Sequence, residues 1–239
     1  MNTLKVLAVL SIVASSAFAA QESGFFVGAE LGRARLKNDG FTVYNSIASP
    51  GPEALPALDT TNNVSVGRLT MGYAFNKEWD LRLSYTRFGE AEIRVAGPVF
   101  PGIYFAVGPY YYPRNVVIYK TSMVTVLPVY SIALTERLRV SGGLGFNYAT
   151  TDSHFEATRY NYLVGTRYEV SAEETDHKLG LALQLGVEYF VINNFSLKLS
   201  ANYLDAKAKV PPAQSWGLGA DTDFGIKVMS VQFAAAWHF

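Results

Sequence analysis

Acyl hydrolysis or acyl transfer needs a nucleophile, a base and an orienting acid within hydrogen-bond reach. One stretch of this 239-residue chain offers those types: Ser153, His154 and Glu156. Neighbouring residues on a strand point to opposite faces, so Ser153 and His154 diverge unless the segment is a turn. The other histidines, His177 and His238, are distant in sequence, His177 in a loop and His238 on an inner face near one end. Three scattered histidines without a single cysteine make no zinc site. The missing cysteine also excludes disulfides, a thiolate nucleophile and a lipid-modified N-terminal cysteine. Lys plus Arg equals Asp plus Glu at 20 each, leaving no basic excess to hold a nucleic-acid backbone. No catalysis, metal or cofactor is expected.

The elements that carry these residues are strands. Hydrophobic residues make up 49% of the chain and charged residues 17%, against a typical ~25% charged, which is too apolar for disorder. Mean hydropathy is only +0.12, modest for a bundle of membrane helices. The longest uncharged run, Val95 to Pro113, holds Pro98, Pro101, Pro109 and Pro113. Each interior proline costs a helix ~3 kcal/mol, so this run is a loop. The start of the chain differs: Lys5, an apolar run Val6 to Val13, then Ala17-Phe18-Ala19 read as a secretory signal peptide over 1–19, ahead of one domain over 20–239.

The apolar residues fall in short pieces with a period of two. Leu179, Leu181, Leu183, Leu185, Val187 and Tyr189 alternate with Gly180, Ala182, Gln184, Gly186 and Glu188. Phe195, Leu197, Leu199, Ala201 and Tyr203 alternate with Ser196, Lys198, Ser200 and Asn202. The same pattern opens at Phe25, Leu69, Trp79, Val124 and Leu138 and closes at Val231 to Phe239, giving eight strands. One face carries large aliphatics, with aromatics towards strand ends. The other is mainly glycine, alanine and serine with single charges. Small groups fit the inside of a narrow barrel, and large apolar groups fit a lipid-facing band with aromatic girdles. Connections are short at 76–78, 135–137 and 193–194 and long at about 37–63, 88–115, 150–176 and 205–223, the asymmetry of an outer-membrane barrel. The fold expected is all-β: an eight-stranded antiparallel up-and-down transmembrane β-barrel. Ten strands would follow if 150–176 held an extra hairpin. Pro128 lacks a ladder donor, so a bulge or a different strand boundary is expected there.

Gly28-Ala29-Glu30-Leu31-Gly32, Gly72-Tyr73 leading through a turn to Ser84-Tyr85, and Gly186-Val187-Glu188-Tyr189 followed by Leu197-Lys198-Leu199 resemble the barrel domain of the outer membrane protein A family. The opacity-type small barrels share that barrel-only layout. The ending, with Phe233, Trp237 and Phe239, resembles the aromatic C-terminal signal read by the barrel assembly machinery. The resemblance implies a charged network inside the barrel, at positions here occupied by Glu30, Arg82, Glu188 and Lys198. Two signs are exchanged relative to the family, keeping two acids and two bases. A further family lysine would fall near Val129, which cannot serve a salt-bridge switch. All four charges also lie on the small-residue face by parity alone.

Charges in so narrow an interior must pair or hold water. They read as register-fixing filler or as a gate. Tyr104, Phe105, Tyr110, Tyr111 and Tyr112 form a tyrosine-rich loop that could contact a partner or pack on the barrel rim. The resulting expectation is a monomeric integral protein of the bacterial outer membrane with a structural or surface-interaction role. Its partners are outer-membrane lipids and lipopolysaccharide, the assembly machinery, and a host or surface ligand at the loops. A narrow pore for water, ions or small solutes is the second reading, and a lipid A-modifying enzyme the third.

Overall fold

The computed structural model describes residues 23–39, 43–45, 53–55, 61–95, 110–161, 166–210 and 222–239. The expected signal segment lies outside them. Eleven strands are present among the described residues. They are β1 (Gly24–Asp39), β2 (Val43–Asn45), β3 (Glu53–Leu55), β4 (Thr61–Ala74), β5 (Trp79–Phe88), β6 (Ala91–Val95), β7 (Tyr110–Ala133), β8 (Leu138–Asn161), β9 (Thr166–Ile192), β10 (Phe195–Val210) and β11 (Thr222–His238).

Eight of them close on themselves. The antiparallel order β5-β4-β1-β11-β10-β9-β8-β7 is completed by pairing of β5 with β7. β6 adds to the upper part of β7, and β2 with β3 forms a separate small hairpin. The seam between the first and last strands runs from Phe26↔His238 to Asp39↔Gly225. Closure leaves no unpaired edge within the barrel, which is what a strand in lipid requires. The count is therefore eight with one extra strand, and 150–176 holds no added hairpin. Instead β8 and β9 continue through that stretch in unbroken register to Asn161↔Thr166.

The turns at the opposite end are tight for local reasons. Asn76 Oδ1 accepts from the Glu78 and Trp79 amides, at 2.8 Å each, and Thr135 Oγ1 accepts from the Arg137 and Leu138 amides. These side chains mimic a backbone turn. Pro128 brings no bulge. It faces outward opposite Leu81, and the ladder to β8 passes from Val126↔Phe146 to Val129↔Gly143 without a shift. The irregularity in that ladder lies between Tyr111 and Arg114, which flank Pro113.

A span needs about 9–11 residues of strand. β7, β8 and β9 have 24, 24 and 27, so a three-stranded sheet stands well beyond the membrane on the loop side. On the barrel wall the outward residues are Phe25, Leu31, Leu69, Leu83, Phe146, Leu185 and Phe233, all exposed, with Leu31 73% accessible. Such a continuous apolar belt is incompatible with water.

Amphipathy then inverts along β1, β4, β10 and β11. On β1 the outward residues change from Leu31 to Arg33, Arg35 and Lys37, while the inward ones change from Glu30 to Ala34 and Leu36. On β4 the interior passes from Arg68 to Val66 and Val64. On β10 it passes from Asn202 to Leu204 and Ala206, and on β11 from Ser230 to Val228 and Ile226. One barrel thus lies in two solvents. On these four strands the inside is polar where lipid is outside and apolar where water is outside.

Candidate functional site

The lower deck of the interior gathers three acids and three bases. Glu30, Asp80 and Glu188 lie with Arg68, Arg82 and Lys198, all buried. Each projects inward because it occupies the small-residue parity of its strand. Arg82 forms a two-pronged pair with Asp80, Nε to Oδ1 at 2.6 Å and Nη2 to Oδ2 at 2.8 Å, and its guanidinium lies 5.6 Å from the Phe26 ring centre. Glu30 accepts from Thr70 at 3.3 Å and Ser200 at 3.2 Å, with Arg68 Nη1 3.6 Å away. Arg68 also donates to Thr86 at 2.9 Å and to Asn202 Oδ1 at 2.7 Å. Gln184 Oε1 accepts from both Arg82 (3.1 Å) and Lys198 (2.9 Å), and its amide donates to Asn202 Oδ1 at 2.7 Å. Near the turn end, Glu188 accepts from Ser196 and lies 3.4 Å from His238 Nε2.

Glu30, Arg82, Glu188 and Lys198 therefore share one compartment but do not form ion pairs with each other. Their direct partners are Arg68, Asp80, His238 and Gln184. Arg68 and Asp80 carry the same inward parity as the expected four, so the alternation already contained them. A cavity of about 50 Å³ leads from the turns at Asn76–Glu78 to Glu30, Arg82, Glu188 and Lys198, room for a few waters. Above it lies the apolar deck of Leu36, Val66, Phe88, Met123, Leu204 and Val228, each buried.

Ser153 and His154 diverge as strand geometry demands. Ser153 is buried inside, whereas His154 faces out between Glu156 and Glu173, at 3.2 Å from each. His177, expected in a loop, is part of β9: it pairs with Thr150 and stacks on Tyr148 at 5.7 Å. Among the described residues no group of three metal-binding side chains converges. Tyr104 and Phe105 lie outside the described residues. Tyr110, Tyr111 and Tyr112, placed in a loop by sequence, are the opening residues of β7. At the C-terminus, Phe233 and Trp237 face outward, and the Phe239 amide donates to the Phe25 carbonyl at 2.8 Å.

Comparison with solved structures shows the same fold. The outer membrane protein OprG from Pseudomonas aeruginosa is 18% identical, with a TM-score of 0.56 over 92% of this chain and 97% of that one. Neisserial surface protein A is 14% identical, with a TM-score of 0.50 over 92% and 100%. The attachment invasion locus protein of Yersinia pestis is 17% identical, with a TM-score of 0.45 over 92% and 100%. No match was found among curated proteins. The family of outer membrane protein beta-barrel domains matches residues 6–239. A closed barrel with an apolar belt and a polar interior, matched over nearly its whole length, belongs to that family and is an integral protein of the bacterial outer membrane.

Proposed function

We propose that this protein is a non-conducting outer-membrane scaffold that anchors an extracellular sheet for surface contacts. The observation that carries this reading is the lumen filled by buried side chains among the described residues. Among the described residues the cavity of the charged deck reaches the turn end, and above it Leu36, Val66, Phe88, Met123, Leu204 and Val228 fill the lumen, leaving a permeating ion few polar groups, Thr121 and Thr151 among them, with which to replace its hydration shell. The length of β7–β9 beyond the membrane supports the second half of the reading, since strands that long exceed what anchoring requires. The opposite orientations of Ser153 and His154 favour a non-catalytic protein. The interior charges then serve to fix strand register, and the aromatic C-terminus to guide assembly.

Planar-bilayer recordings of the refolded protein test this. The expected trace is flat, and it stays flat for Arg82→Ala. Steady unitary currents in the wild type, altered by that substitution, would instead establish the pore.

A further inference from the structure

Among the described residues the outward wall holds a depression aligned with a pair of cations. Two neighbouring rows of side chains cross β9, β10, β11 and β1. The row nearer the turns is Leu185, Ala201, Val231 and Arg33; the next is Leu183, Tyr203, Met229 and Arg35. Directly opposed Cβ atoms lie about 4.5–5.5 Å apart, so each row is continuous. Ala201 is the small member of its row. Over it lies a groove of about 560 Å³, walled by the leucines, Tyr203, Met229 and Val231 and ending at the two arginines.

Arg33 and Arg35 are both exposed, and no hydrogen bond or ion pair reaches either from the described residues. They sit where β1 leaves the apolar belt, at the height of lipid headgroups on the loop side, which in this family is the outer leaflet. Lys37 and Lys227 face each other one outward position higher, with Lys227 also opposite Asp205. The nearby carboxylate, Asp205, receives a bond from Lys178 at 3.0 Å.

We infer that the groove and its two arginines bind an acylated, phosphorylated glycolipid of the outer leaflet, with an acyl chain over Ala201 and a phosphate between Arg33 and Arg35. The guanidinium fork matches phosphate oxygens in two-pronged fashion, which a lysine does not. Successive outward positions on a strand place both forks on one side of the ligand. The inference rests on the barrel lying in the membrane and is independent of whether the lumen conducts.

Native mass spectrometry of the refolded full chain in detergent tests it with three probes: bisphosphorylated hexa-acyl lipid A, the same lipid without phosphates, and the deacylated disaccharide bisphosphate. The wild type is expected to retain only the first. Losing about five-fold per cation, R33Q/R35Q should weaken retention about 30-fold. A201W, which fills the groove without changing charge, should also lose it. Equal retention of the dephosphorylated lipid or of the deacylated disaccharide by the wild type would overturn the inference. So would undiminished lipid A retention by R33Q/R35Q that still shows the heat-shifted mobility of a folded barrel. The wild-type arms decide the matter even if a variant does not fold.

Discussion

Asp80→Ala is expected to cost about 3–5 kcal/mol of folding stability, because it leaves the Arg82 guanidinium buried without its carboxylate. Unfolding by urea in lipid vesicles would show the loss as a lowered midpoint. The double variant D80A/R82L should recover most of it, since an apolar replacement of both partners removes the uncompensated charge. The contrast is the Lys120–Glu90 pair, also close at 2.8 Å but with both side chains more than half exposed. Exposed pairs contribute about 0–1 kcal/mol. In the barrel interior, depth outweighs distance in setting the cost of losing a partner.

Gly32→Leu is expected to prevent closure. A Cβ at Gly32 falls onto the Val231 carbonyl and within 2.8 Å of the Gln232 Cα. Both are backbone atoms of β11, so no change of rotamer relieves the contact. The strain sits on the seam where β1 meets β11, the last pairing needed to close the barrel. The cost should exceed the ~1–3 kcal/mol of ordinary core overpacking. On gels, the heat-modifiable folded band should vanish. Gly67→Ala is the control: its Cβ would meet only the tip of Leu31, at 3.7 Å. That substitution should be neutral or stabilising by about 0.5–1 kcal/mol, as for glycine within a strand generally.

Much of this architecture was legible in the alternation. The outward positions of Leu83, Leu183 and Leu199 and the inward positions of Glu30, Arg82, Glu188 and Lys198 follow from a period of two. Strand lengths were not legible, and the reason is physical. A search for large residues outside and small ones inside holds only while the strand is in lipid. Beyond Leu31 the sense reverses, so Arg33-Ala34-Arg35-Leu36 still alternates but looks like the start of a loop. A similar change hid the top of β8, where Asp152, His154 and Glu156 face out and Thr151, Ser153 and Phe155 face in. The pairings inside the charged deck depend on how far long side chains reach across the lumen. Arg68 finds Asn202 on the other side of the barrel, 134 residues away in sequence, and alternation carries no information about that.

The inversion of amphipathy is the central physical claim, and β1 tests it most directly. Nitroxide labels placed singly at Phe25, Val27, Ala29, Leu31, Arg33, Arg35 and Lys37 in vesicles report contact with lipid-soluble oxygen or with a water-soluble relaxant. The account predicts oxygen-dominated relaxation through position 31 and a switch to the water-borne agent from position 33 onward. Labels that favour the water-borne agent along the whole strand, or show no switch between 31 and 33, would contradict it.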